Sequence, residues 1–151
     1  QESEWELALI LYQAMVDKGC KPNVVTLNAL ISTLEEAGQW DRATEWLEVA
    51  LDQEMFTVEW SRGEIDLHHV RSAGTAQAIL RWWLRKLREN CLVNGENLPK
   101  RIKVVTGWGK HSTVKGVSPV KERVVSLLDA INSPFSEPPG NKGCLVANGS
   151  A

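Results

Sequence analysis

The segment that most restricts how this chain can fold runs from Arg101 to Pro119. Ile102, Val104 and Val105 form a β-branched run that reads as a buried strand. The run breaks at Gly107-Trp108-Gly109, and Lys110, His111, Ser112, Thr113 and Lys115 crowd the loop that follows. Ser118-Pro119 has the form of a helix start, a hydroxyl cap followed by proline at the first helical position. The segment is therefore expected to be strand, glycine loop, helix. Such a loop suits a phosphate, because glycines let the backbone approach a ligand and N–H groups with lysine charge favour an anion. It equally suits a tight surface turn. The spacing matches neither the Walker loop nor the dinucleotide glycine pattern.

Charge divides the chain. Its net of −2 over 151 residues conceals 3 Lys/Arg against 12 Asp/Glu in residues 1–60, a net of −9, and 14 against 7 in residues 61–151, a net of +7. An acidic half joined to a basic half points to two units, with the basic one facing polyanions. An apolar content of 43% supports a packed core. Cys20, Cys91 and Cys144 are widely spaced and show no zinc-ligand pattern, so they read as thiols of a reducing compartment. No apolar run approaches membrane-spanning length, so no membrane partner is expected. The chain starts at Gln1 on a helical pattern with no signal peptide in view, and reads as part of a longer protein.

The first half is helical. Trp5, Leu7, Ala8, Leu11, Tyr12, Met15 and Val16 recur at helical spacing before Gly19. Val25, Leu27, Leu30, Ile31 and Leu34 form a second helix closed by Gly38, and Asp41 is expected to cap a third that carries Ala43, Trp46, Leu47, Ala50 and Leu51. Helix pairs with short glycine turns are the unit of a solenoid. Residues 24–31, then Ala37-Gly38, Asp41-Arg42-Ala43 and Leu47, resemble the pentatricopeptide repeat. One complete repeat would span 24–58, after a partial repeat at 1–23. Glu54 stands where the family has glycine. The resemblance implies that a repeat reads one RNA base through its fifth and last residues, here Asn28 and Val58. Asparagine resembles the family's pyrimidine preference, whereas valine departs from the usual polar partner. With a net of −9, one and a half repeats are not expected to hold RNA by charge.

The second half alternates strands and helices, which implies a two-layer α/β sheet. Strands are expected at Phe56–Trp60, Gly63–His68, Arg101–Val105 and Gly143–Ala147. The period of two places Asp66 and His68 on one strand face and sends His69 the other way. A helix from Ser72 to Asn90 carries an apolar stripe of Ala76, Ile79, Leu80, Trp83, Leu84 and Leu87, and a basic stripe of Arg81, Arg85 and Arg88 that reads as a solvated face. A second helix carries Val120, Val124, Leu127, Leu128 and Ile131.

Ile65-Asp-Leu-His-His-Val-Arg71 and Thr106-Gly-Trp-Gly-Lys-His-Ser112 resemble the two motifs of the small MutS-related domain. In plants that domain follows pentatricopeptide repeats in organellar proteins. The first motif matches with Ile65 in place of leucine and the second matches in full at 107–112. Bacterial relatives carry histidine where Thr106 stands. The resemblance implies a domain over 61–151 with a fold like the C-terminal domain of translation initiation factor three. It also implies nucleic-acid binding and, in members that keep the acidic residue, RNA cleavage. The expected protein is a plastid RNA-binding endonuclease whose repeats select the target. The alternative is a non-catalytic scaffold subunit of plastid transcription or gene expression. The expected partners are single-stranded RNA, with DNA and plastid transcription or nucleoid proteins as further candidates.

Phosphodiester cleavage needs a group that handles the nucleophile's proton and cations for the developing charge. Asp66 is the candidate base or ligand for a divalent metal such as magnesium, His68 the proton carrier and Arg71 the fork for two phosphate oxygens. Gly107, Gly109 and Lys110 would cradle the phosphate, Trp108 would stack a base, and Ser112 completes the loop. Asp66 as a helix cap and His111 as an exposed loop residue are the plainer readings. The charge split makes one prediction: RNA affinity should fall steeply between low and high salt. Neutralising four phosphates of a single strand would give a slope of log affinity on log salt of about −3. Equal filter binding at both salts would overturn the electrostatic account.

Overall fold

The computed structural model describes residues 3–107 and 118–148. They fall into two units, Gln1–Thr57 and Val58–Ala151.

The first unit contains α1 (Glu4–Asp17), α2 (Val24–Glu36) and α3 (Trp40–Asp52). Its helix starts are built locally. Asn23 Oδ1 accepts the Thr26 N–H at 3.0 Å ahead of α2. Ser3 and Glu6 form a capping box ahead of α1, with Ser3 N–H donating to Glu6 Oε2 at 2.9 Å. These bonds from Ser3, the backbone one foremost, hold the Glu6 carboxyl below its ordinary pKa. The cap of α3 is Gln39, so Asp41 sits inside the first turn, where its charge meets the helix dipole instead.

The helix α2 packs against both α1 and α3. It therefore buries Leu27, Leu30, Ile31 and Leu34, while α3 contributes Ala43, Leu47 and Ala50. Val25 lies on the outer side of α2 and is exposed. The expected apolar stripe of α1 buries no residue fully, and Leu7 and Leu11 stay exposed. This helix is held by α2 and by rings: Tyr12 meets Trp46 edge-on at 4.6 Å and the Arg42 guanidinium lies 4.8 Å from the Trp5 ring centroid.

The three helices end by one device. Gly19 N–H donates to Val16 O and Cys20 N–H to Met15 O; Gly38 and Gln39 repeat the pattern on Glu35 and Leu34, and Glu54 and Met55 on Leu51 and Ala50. That pair of bonds requires a left-handed residue at the turn. Gly19 has φ 77° and Gly38 φ 72°, and Glu54 is forced to φ 54°.

The second unit contains β1 (Glu64–Asp66), α4 (Ala73–Leu92), β2 (Arg101–Val105), α5 (Pro119–Ala130) and β3 (Cys144–Asn148). The strands lie in chain order, β1 parallel to β2 and β2 antiparallel to β3. Parallel pairing requires a long crossover, which α4 supplies. Register joins Ile65, Val104 and Leu145 across the sheet, and Ile102 with Ala147. All five are buried, so one sheet face is apolar. The helices α4 and α5 pack together, α4 burying Ala76, Ile79, Leu80, Trp83 and Leu87, and α5 burying Val120, Val124 and Leu128. Ser72 Oγ accepts the Thr75 N–H at 3.1 Å to start α4, and Ser118 Oγ accepts the Lys121 N–H at 3.2 Å with Pro119 opening α5.

Several expectations change. Residues 56–60 form no strand; Trp60 makes one antiparallel bridge to Ile65, with Ser61 N–H donating to Glu64 O and Asp66 N–H to Glu59 O. The chain reverses at Arg62-Gly63 onto β1, which is only three residues long and offers few positions to pair. The strand β1 stops at Asp66, short of His68. The strand β2 alternates between buried and half-buried residues, because only one sheet face is apolar. Trp82 is buried beside Trp83, whereas Leu84 and Arg81 are each half-buried. Ile131 is exposed because it is the C-cap of α5, where the chain turns through left-handed Asn132. Cys144 is buried, Cys91 half-buried and Cys20 exposed.

The helix ends yield a prediction. Relieving left-handed strain of about 1–2 kcal/mol at Glu54, against the roughly 0.5–1 kcal/mol entropic cost of glycine, should make Glu54→Gly stabilising by about 0.5–1 kcal/mol. Gly38→Ala should destabilise. Urea unfolding followed by far-ultraviolet circular dichroism measures both; an unchanged midpoint for both variants would remove the strain account.

Candidate functional site

In open α/β sheets the crevice beyond the carboxyl ends of parallel strands is where ligands bind. Here those ends are Asp66 of β1 and Val105 of β2, which are register partners. Leu67 N–H still donates to Val105 O at 2.8 Å, and the chain then turns at His68-His69. The turn is made by Asp66. Its Oδ1 accepts the His68 N–H at 3.0 Å and also bonds His68 Nδ1. This is an Asx-type turn whose carboxylate grips the ring of the residue two positions on.

Asp66 and His68 therefore meet as expected, but through the turn and not through strand alternation. A strand would separate their side chains by two residues' rise; the turn folds the ring back onto the carboxylate. His69 does not point away: its ring lies 3.4 Å from that of His68, centroid to centroid, tilted by 44°. Nor does Asp66 cap α4, a role taken by Ser72. The Asp66 side chain is 24% exposed and that of His68 38%, so the pair is open to solvent on one side.

From β2 comes Gly107, with φ 71°. A Cβ there would stand 3.3 Å from His68 Cβ, so glycine lets the second loop pass close against the histidine. Thr106 N–H and Gly107 N–H both donate to Gly143 O, at 2.9 and 3.0 Å. The Gly107 N–H is thus spent within the protein and does not join a phosphate cradle. Gly143 belongs to a braced loop. Its N–H donates to Asn141 Oδ1 at 3.0 Å, and Lys121 Nζ donates to Lys142 O at 2.6 Å and pairs with Glu137. Residues 137–143 line an open cavity of about 560 Å³.

The remaining candidates are placed as follows. Arg71 is exposed immediately before the Ser72 cap. Trp108, Gly109, Lys110, His111 and Ser112 lie outside the described residues. Asn28 is half-buried on α2, and Val58, also half-buried, is the first residue of the second unit. Gly143 and Lys121 were not among the sequence candidates. No local pattern marks Gly143, because the partners of its carbonyl are 36 and 37 residues away and the contact exists only once β3 pairs with β2.

A carboxylate on Nδ1 holds one tautomer and leaves Nε2 as the nitrogen that takes a proton. The arrangement is thus suited to general base chemistry. Among the described residues no group of three or more His, Cys, Asp or Glu side chains forms a metal site, and Asp66 and His68 are engaged with each other. Gly107→Ala should push His68 away from Asp66 and cost about 1–2 kcal/mol, since a side chain is strained at positive φ. Comparing the histidine ring resonances of the two proteins by NMR, with a urea curve, measures this; identical resonances would show that Gly107 does not set the His68 position.

Comparison with known proteins adds to this picture. The PPR repeat family matches residues 18–49, which include all of α2 and most of α3. A pentatricopeptide repeat-containing protein of Arabidopsis thaliana is 38% identical over 128 residues, 82% of this chain and 15% of its own length. A second from the same plant is 37% identical over 128 residues with the same coverage. A third, named as chloroplastic, is 32% identical over 124 residues, 80% of this chain and 17% of its own length. The chain thus spans less than a fifth of each of these relatives. Since the helical unit has only 57 residues, matches of this extent run well into the α/β unit. Residues 18–49 thus match the PPR repeat, and the chain is similar, through both of its units, to plant proteins named for that repeat.

Proposed function

We propose that this chain belongs to an RNA-binding protein of plant organelles whose α/β unit is a small MutS-related domain that cuts RNA, with the repeats selecting the target. The observation that carries the reading is the Asp66–His68 pair, standing at the carboxyl end of β1 against Gly107. Support comes also from the net of +7 in residues 61–151 and from the sheet with two helices packed together. A relative named as chloroplastic supports a plastid location. No helix among the described residues is long and apolar enough to cross a membrane.

The chemistry assigned to the pair is transesterification. His68 Nε2 takes the proton of a ribose 2′-hydroxyl, whose oxygen attacks the adjacent phosphorus. The bond from phosphorus to the 5′ oxygen breaks, leaving a 2′,3′-cyclic phosphate and a 5′-hydroxyl whose proton comes from water; the hydroxide so formed takes the proton from His68 and restores the neutral ring. Asp66 keeps the imidazole in the required tautomer and stabilises its charged form. Arg71 neutralises charge building on the phosphate oxygens. The described residues do not assemble a magnesium site, so no step is routed through a metal.

Labelled single-stranded RNA incubated with the chain, with and without magnesium, tests the proposal. His68→Ala should lower the rate about 10²-fold or more, in the range of general acid–base catalysis. Asp66→Asn should lower it while leaving RNA affinity equal or higher, since a negative charge near phosphate is removed. Arg71→Ala should cost more rate than affinity. Replacing the ribose at the cut site by deoxyribose should stop cleavage. Absence of cleavage under both conditions would replace the enzyme by the scaffold reading, and full activity of Asp66→Asn would place the centre elsewhere.

A further inference from the structure

Trp60 is 51% exposed, on a unit whose other described tryptophans, Trp82 and Trp83, are buried at 7% and 0%. The burial of Trp83 is completed by its Nε1–H, which donates to Ser61 O at 2.9 Å. Trp60 is held otherwise. Its backbone bridges Ile65 of β1, and its ring meets Trp82 edge to face, with centroids 5.4 Å apart and planes at 83°. Lys86, one helical turn beyond Trp82, places Nζ 5.3 Å from the Trp82 ring centroid. Exposed aromatic surface, an aromatic backing that fixes its angle and a neighbouring ammonium are together what a single-stranded nucleic acid uses, a base on the ring and a phosphate on the cation.

Charge decides between this ligand and a protein. Trp40 is as exposed, at 55%, but stands in the half with a net of −9, where a polyanion is repelled. Trp60 lies in the unit Val58–Ala151, which holds 14 Lys/Arg against 8 Asp/Glu, a net of +6, and is paired to the strand that ends in Asp66. We propose that Trp60, backed by Trp82 whose ring also carries Lys86, is a base-stacking platform for single-stranded RNA, a second contact that holds the strand beside the Asp66–His68 turn. The inference rests on the RNA-binding reading above and is independent of cleavage.

The test measures binding of the full chain, carrying Asp66→Asn to slow cutting, to single-stranded oligouridine and oligoadenosine and to an RNA duplex, with the RNA checked for integrity after each measurement. Trp60→Leu keeps apolar bulk over Trp82 but removes the aromatic face, and Trp60→Phe keeps the face. Trp60→Leu should weaken single-strand binding at least about fivefold, the loss of one stacked base, with duplex affinity within twofold. Trp60→Phe should restore most of the loss. Lys86→Gln should make the salt slope shallower by about 0.7, the share of one phosphate on a single strand. If the parent chain binds RNA and Trp60→Leu binds as well, the platform is overturned and the ring is left to a protein contact. Equal losses on single strand and duplex, or a Phe variant as weak as the Leu variant, overturn it too. No RNA binding by the parent chain removes the RNA-binding reading and the platform with it.

Discussion

The parallel register of β1 on β2 is the constraint on which the α/β unit depends. It sets Ile65 beside Val104 and Asp66 beside Val105, so the apolar face and the chemistry follow from one alignment. A slip of one residue would turn Ile65 outward and Asp66 into the core. The helices oppose that slip. Ile79, Leu80 and Trp83 of α4 are fully buried, each contributing on the order of 1.5–3 kcal/mol for burial. The Trp83 bond to Ser61 O ties the same helix to the chain leading into β1.

From that register the candidate site inherits its order. The strand β1 delivers Asp66 and the turn beyond it; β2 delivers Gly107; the pairing of β3 on β2 brings Gly143, whose carbonyl holds both Thr106 and Gly107. Lys121 from α5 then braces the 137–143 loop. Each bond is ordinary in strength, about 0.5–1.5 kcal/mol net, but together they hold three loops that are distant in sequence. Rigid support of this kind keeps the His68 ring in place.

The two units differ in how they are made stable. The helical unit relies on repeated local devices: side-chain caps at α1 and α2, and the same left-handed exit after all three helices. Only α2 has neighbours on two sides, so only α2 carries the full row of buried leucine and isoleucine. The α/β unit instead depends on contacts between distant segments, and it carries the positive charge.

What was legible in the sequence was local. Helix periodicity marked α1 to α5, and Ser72 and Ser118 marked starts, because apolar spacing and caps act within a few residues. The strand run of β2, its glycine break and the charge division were also visible, as was the likeness of 24–47 to the repeat. The meeting of Asp66 with His68 was anticipated for the wrong reason, since alternation along a strand and an Asx turn both bring i and i+2 to one side. Tertiary structure decided the rest. It ended β1 at Asp66, stacked His69 on His68, spent the Gly107 N–H on Gly143, buried Trp82 and left Trp60 in solvent. The Gly107 and tryptophan outcomes depend on partners tens of residues away, brought together only when the sheet forms; a period or a motif read along one segment carries no information about them.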